Sequence, residues 1–273
     1  MRVTVLGSGS AGNATLVESD GAAVLVDAGF SGRDIARRLE AVDVEPTGVD
    51  AIVITHEHTD HTRGMGVLAR RFGLPVYLTD TTRDACAKLL RGTEELRRYD
   101  VASPFEIGPL RFEPFLTAHD AADPVAVTVV DTENGHRLGL ATDLGRPTAA
   151  IRHALAGCHI LVLESNHDEE MLWGGPYPWP VKQRIASSHG HLSNRAAAAF
   201  AKELCHDELV AVVLAHLSEH CNDPELARTV VGRALAESGF SGALLVASQD
   251  SPVAPIDIAE LRVRAGPGQF SLF

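Results

Sequence analysis

The sequence predicts a mixed α/β (α+β) protein in which two sheets pack face to face with helices outside. Three observations predict it. Short apolar runs alternate with helix-period segments in the first third, the middle is strand-rich, and helices and strands alternate again to the end. Polar residues of metal-binding type follow several apolar runs directly, as they do when one scaffold projects them into a shared mouth. At 273 residues with 45% apolar content, the chain can bury a sizeable core.

The first strands fall at 2–7, 14–18 and 22–26, with a Ser-Asp-Gly turn at 19–21. Ser31 is placed to cap a helix over about 32–41. An apolar strand at 51–54 leads to a helix at about 64–72, a strand at 75–79 and a helix at about 80–91. Strands at 105–107, 110–116, 125–131 and 136–141 follow, with a Glu-Asn-Gly turn at 133–135. A helix near 148–156, a strand at 159–163 and helices near 179–187 and 193–205 come next. A strand at 209–214, a helix at 223–238 and a strand at 242–247 close the series. No long linker interrupts it, so 1–264 reads as one domain and 265–273 as a flexible tail.

The densest chemistry lies at 55–61, Thr-His-Glu-His-Thr-Asp-His. Imidazoles and a carboxylate (His56, His58, Asp60, His61) crowd a loop leaving a buried strand, and these donors suit zinc and manganese. The H-E-x-x-H helix of zinc proteases is excluded, because His58 follows Glu57 and the next histidine is His61. Further ligand types follow other apolar runs: Asp27, His119, Asp143 and His216. Singly each is explained by a structural hydrogen bond; together, in this order, they point to one metal site.

Gly7-Ser8-Gly9-Ser10-Ala11-Gly12 matches a dinucleotide fingerprint, but a strand pattern follows where that motif needs a helix. A cofactor role is rejected. Ser8, Ser10 and Asn13 stay as candidates to hold a phosphate, beside the plain reading of a tight turn. The formal charge of −12 argues against indiscriminate adhesion to nucleic acid, without excluding a nucleic-acid substrate. Four scattered cysteines without C-x-x-C spacing read as reduced thiols. No run approaches the ~18 apolar residues of a membrane span, and the N-terminus lacks a leader pattern, so a cytoplasmic protein is expected.

The ordered set Asp27-Ala-Gly, His56–His61, His119, Asp143 and Leu-Ala-His216-Leu-Ser resembles the metallo-β-lactamase fold over nearly the whole chain. The resemblance implies a four-layer αββα sandwich with two divalent ions, zinc or manganese. It places His56, His58 and His119 on one ion, Asp60, His61 and His216 on the other, Asp143 between them, and Asp27 behind the motif loop. Glu164 at a strand end and Gly190-His191-Leu-Ser before an Ala-rich helix resemble the Glu and His of ribonuclease Z-type phosphodiesterases. There the Glu orients a His that protonates the leaving oxygen, so catalytic roles fall to His191, Glu164 and Asp60. Ser193 or Asn194 also reads as that helix's cap. Closer still, Gly-Ser-Gly-Ser-Ala-Gly-Asn-Ala at 7–14, Glu164-Ser-Asn-His-Asp and Gly175-Pro-Tyr-Pro-Trp resemble the YycJ (WalJ) family. That implies a 5′→3′ exonuclease on double-stranded DNA in mismatch repair. An RNA or small-molecule phosphodiesterase is the alternative, ahead of a thioester or lactone hydrolase or a non-catalytic clamp adaptor.

His167 and His189 are unplaced, each either touching substrate or packing. Trp179 reads equally as a base platform or as core. The ending Gln269-Phe-Ser-Leu272-Phe273, after a Gly/Pro spacer, resembles the pentapeptide that binds the bacterial sliding clamp, so the tail is expected to contact such a clamp.

Overall fold

The structure is a computed structural model that describes residues 1–265. The tail motif with Gln269, Leu272 and Phe273 lies outside the described residues. One sheet contains β1 (Arg2–Gly7), β2 (Ala14–Ser19), β3 (Ala22–Val26), β4 (Ala51–Val53), β5 (Val76–Leu78) and β6 (Leu96–Arg98) in sequential order. The second contains β7 (Phe105–Ile107), β8 (Leu110–Leu116), β9 (Val125–Asp131), β10 (Arg137–Ala141), β11 (Ile160–Glu164), β12 (Ala211–Ala215) and β13 (Ala243–Val246), also in sequential order. A two-residue β14 (Ile256–Asp257) returns to the first sheet beside β1.

Side-chain alternation builds the layers. Val24, Val26 and Val53 face Val127, Leu140 and Val162 between the sheets. On the outer face of the first sheet, Leu25 and Ile52 pack with Ile35, Leu39 and Leu68 from α1 (Gly32–Glu40) and, beyond a short α2 (Thr59–Thr62), α3 (Met65–Phe72). After α4 (Asp80–Ala85), three helices cover the second sheet. Its outer face carries Leu161, Leu163 and Val212 against α5 (Ala149–Leu155), α8 (Asn194–Leu204) and α9 (Pro224–Glu237). Short helices α6 (Glu169–Gly174) and α7 (Trp179–Ile185) lie between α5 and α8 in the chain, and α10 (Ile258–Ala265) follows β14. Strands buried on both faces explain why β3, β4, β11 and β12 read as unbroken apolar runs. Ser31 and Ser193 cap α1 and α8 as expected, accepting from Asp34 N and Ala196 N. Among the described residues, no helix is long and apolar enough to cross a membrane.

Some expectations need adjustment. The helix expected over 80–91 stops at Ala85 and continues as a 3-10 turn at Ala87–Leu89. Strand β6 was not expected, because Leu96-Arg97-Arg98 is exposed throughout and has no apolar alternation. Its arginines suit an edge strand, where charge discourages pairing with another chain. Helices α2, α6 and α10 and strand β14 are too short or too weakly patterned to show in composition.

The strand order positions the site. β3, β4, β5 and β6 run parallel, as do β10, β11, β12 and β13. Asp27 follows β3, Thr55 to His61 follow β4, Asp143 follows β10, Glu164 ends β11 and His216 follows β12. Two parallel halves thus deliver their carboxyl ends to one edge of the sandwich. Asp27, Asp143 and His216 all turn there in the left-handed region, with φ of 62°, 57° and 56°. Such conformations cost non-glycine residues about 1–3 kcal/mol each and persist where surrounding bonds fix them.

Candidate metal centre and proton-transfer pair

At that edge, four sets of side chains come within coordinating reach: His56, His58 and His119; Asp60, His61 and His216; His56, His61 and Asp143; and Asp143, Glu164, His191 and His216. Asp143 spans the first two, with Oδ1 3.4 Å from His119 Nε2 and Oδ2 3.1 Å from His61 Nε2. Sequence reasoning therefore selected side chains that the fold does bring together.

Bonds behind the imidazoles decide which nitrogen faces inward. His61 Nδ1 donates to Asp27 Oδ2 at 2.7 Å. Thr55 braces the same carboxylate through its N–H (2.9 Å) and its hydroxyl, and that hydroxyl lies 3.0 Å from His56 Nδ1. His119 Nδ1 donates to Gly190 O at 3.1 Å, and His216 Nδ1 to Glu164 Oε1 at 2.8 Å. With Nδ1 committed outward in all four rings, each Nε2 is left as a donor atom pointing inward.

The arrangement fits a cation. His61 Nε2 faces the carboxylates of both Asp143 and Asp60, the latter at 3.5 Å. Only a proton or a metal can sit among them without lone pairs opposing. A proton on His61 still leaves buried Asp143 Oδ2 without a hydrogen bond of acceptable geometry, and a metal ion would satisfy that oxygen. Nitrogen and carboxylate donors of this kind suit zinc or manganese.

The electrostatics differ across the centre. Burial lowers the His56 pKa well below its ordinary value, and neighbouring His61 adds to the effect. His119 is likewise lowered by burial. Burial also opposes charge on His61, yet Asp27 and Asp143 outweigh it and hold the pKa well above the ordinary value. His216 is raised in the same way, burial being overcome by Asp143, Asp60 and Glu164.

Beside the metal groups, His191 Nδ1 donates to Glu164 Oε1 at 2.8 Å. Glu164 is fully buried and also accepts from the N–H groups of Leu144 and Leu192. Burial would raise its pKa, but His191 and His216 pull it down to about 2. A buried carboxylate thus orients a half-buried imidazole that lines the same mouth as His58, His119, Asp143 and His216, a pocket of about 250 Å³.

Comparison with known proteins places this geometry. The β-lactamase superfamily domain matches residues 22–216. Exodeoxyribonuclease YycJ of Bacillus anthracis is 38% identical over 88% of this chain and 91% of its own length. This chain belongs to the YycJ/WalJ family. Exodeoxyribonuclease WalJ of Streptococcus pneumoniae is 33% identical over 87% of this chain and 89% of its own. The metallo-β-lactamase fold protein YhfI of Bacillus subtilis superposes with a TM-score of 0.71, covering 92% of this chain and 98% of that one, at 21% identity. The YycJ/WalJ chain is accordingly a hydrolase of the metallo-β-lactamase fold.

Other site candidates fall in different places. Ser8 and Asn13 are buried and committed to each other, with Ser8 Oγ donating to Asn13 Oδ1 at 2.7 Å. Ser8 also accepts from His216 N (2.8 Å), and Asn13 Nδ2 reaches Asp60 Oδ2 (3.3 Å). Both therefore brace the metal groups rather than offering hydroxyl or amide to a phosphate. Of the three loop candidates only Ser10 lines the mouth. His189 is exposed beside Ser188, away from the mouth. His167 is buried with Nδ1 unpartnered. Cys221 is buried with Leu172 and Ile185, and the four cysteines are free thiols as expected. Trp179 is 61% exposed and touches Trp173, so it is not core.

Sequence reasoning missed Thr55, Gly190 and Gln249. Gln249 holds the glycine loop through Ala11 N (2.7 Å) and Gly12 O (2.9 Å). Thr55 adjoined the motif and was findable; nothing in composition marks the carbonyl of Gly190 or the distant Gln249.

Proposed function

We propose that this chain hydrolyses phosphodiester bonds of double-stranded DNA, removing nucleotides from the 5′ end, and that it acts in mismatch repair. The Glu164–His191 pair beside the metal groups carries the reading, because ester hydrolysis with a good leaving group needs no such acid. The naming of both relatives as exodeoxyribonucleases supports DNA over RNA. His56, His58 and His119 would hold one zinc or manganese ion, and Asp60, His61 and His216 a second, with Asp143 shared. Such ions supply Lewis acidity and lower the pKa of water at the reacting phosphorus.

The protein's part is positional. Asp27, Thr55, Gly190 and Glu164 fix the imidazoles, so the donor set is preorganised before substrate arrives. Glu164 holds His191 by Nδ1–H, so the doubly protonated ring would present its second proton on Nε2 to the departing 3′ oxygen and become neutral. The tail at 269–273 would bring the enzyme to DNA on a sliding clamp, offsetting its acidic character.

The test is digestion of 5′-phosphorylated duplex DNA with manganese or zinc, beside matched single-stranded DNA and RNA. Stepwise loss from the 5′ end, absent in Asp143→Ala, is expected. Turnover of RNA or small diesters alone would replace this reading. His191→Gln should lower kcat on DNA by about 10²–10⁴-fold, and much less on an aryl phosphodiester whose leaving group needs no proton.

A further inference from the structure

His191 is the one side chain shared by the metal-lined mouth and a neighbouring pocket of about 290 Å³. That volume is at the small end for ligand sites, so the pocket suits a single nucleotide and not a duplex. His167, Glu169, Trp173, Ser193 and Arg195 also line it. None belongs to the metal groups.

Four features at or beside the pocket point to a ligand. His167 is only 3% exposed, yet its Nδ1 has no hydrogen-bond partner. Burial lowers its pKa, so the ring is a neutral hydrogen-bonding group at physiological pH. Trp173 and Trp179 are 45% and 61% exposed with ring centroids 5.2 Å apart. They are the only tryptophans of the chain, and both lie in one surface patch. Two touching indoles left in water form a patch of the kind that marks an interaction site, and every base has a face to stack on them. Arg195 is exposed, its guanidinium 2.9 Å from Glu169, whose carboxylate also accepts from Ser193 Oγ. An exposed pair of this kind opens at little cost. Arg146, next to the lining Gly145, is exposed and has no ion pair among the described residues.

We propose that this pocket is the subsite for the 5′-terminal nucleotide, with the base stacked on Trp173–Trp179 and the terminal phosphate held by Arg195 and His167. The inference rests on the phosphodiesterase reading. His191 gives its proton to the departing oxygen, so the departing piece lies against His191. In 5′→3′ cleavage that piece is the terminal nucleotide, and the pocket sharing His191 is where it goes. A pocket with room for one nucleotide stops the strand there, which makes a free 5′ end a requirement.

Tryptophan emission tests this directly, because Trp173 lines the pocket and Trp179 touches Trp173. The full-length, metal-loaded chain is titrated with 2′-deoxyadenosine 5′-monophosphate, with deoxyadenosine and with the 3′-monophosphate. Saturable quenching by the 5′-monophosphate is expected, at least tenfold tighter than by the other two and displaced by inorganic phosphate. Arg195→Ala, a surface change whose folding is checked by thermal melting, should weaken it about tenfold. Non-saturating quenching, equal for all three compounds or unchanged in Arg195→Ala, overturns the subsite. Saturable quenching without DNA cleavage would remove the nuclease reading and keep the nucleotide site. Cleavage from the 5′ end without quenching would remove the subsite alone.

Discussion

The two halves of the metal centre use the same kinds of donor and differ in what stands behind them. His56 and His119 are backed by neutral oxygens, the Thr55 hydroxyl and the Gly190 carbonyl. His61 and His216 are backed by the carboxylates of Asp27 and Glu164. The first pair is pushed toward the neutral form by burial, and the second is held protonated by surrounding acids. One half is ready to accept a cation at neutral pH. The other must first shed protons, and then offers the more electron-rich nitrogens. Backing groups, more than ligand identity, set the character of each position.

Removing what the halves share should have the largest effect. Asp143→Asn is expected to lower DNA cleavage at least about a thousandfold and to cut bound metal to one ion or fewer by elemental analysis. Full retention of two ions would show that the carboxylate does not link the groups.

Two glycines separate the halves sterically. A Cβ on Gly29 would lie 1.7 Å from Asp60 O, and one on Gly190 would lie 2.2 Å from Arg184 O and Ile185 O. Gly29→Ala should displace Asp60 and empty the second position first, whereas Gly190→Ala should displace the carbonyl behind His119 and empty the first. Each should cost about 3 kcal/mol in denaturant melts. Identical metal-loss patterns in the two variants would erase the distinction.

Changing the backing groups gives a subtler readout. Asp27→Asn should weaken the second position by about 10–100-fold in metal titrations, with less effect on the first. Thr55→Val should favour the opposite pattern, more mildly.

The smallest effect is in proton balance. At neutral pH, loading the chelated protein should release about two protons, from His61 and His216, seen by calorimetry in buffers of different ionisation enthalpy. The sign for stability follows from their raised folded pKa values. In the metal-free protein their contribution is complete below the unfolded value of about 6.5 and is lost as pH rises through the folded values. Its Tm should therefore fall with rising pH over that range, while the Tm of the metal-loaded protein rises. Parallel trends would mean that the carboxylates do not hold those protons.

Much of this was readable from residues. The loop at 55–61 announces itself by density, and Asp27, Asp143, Glu164 and His216 stand where apolar strands end. Patterning places those strands because burial on both faces leaves unbroken apolar runs. What stayed hidden depends on three-dimensional closure. Ser8 and Asn13 looked like phosphate binders because polar residues among glycines are free in sequence, yet folding commits both to His216 and Asp60. The left-handed turns at Asp27, Asp143 and His216 have no signature in composition. Trp173 drew no notice from sequence because nothing there tells an exposed indole from a core one.

The short pairing of Arg2 with Asp257 and Val3 with Ile256 also bears on how the molecule is made. β1 precedes every other described strand in the chain, and its partner β14 follows all of them. Until residue 257 emerges, the β1 side opposite β2 presents a free, apolar Val-Thr-Val backbone to other nascent chains. Synthesis that pauses or terminates before that point should yield chains prone to pair edge to edge. Pairing of β14 with β1 then acts as a cap on self-association, independent of the metal centre at the strand ends.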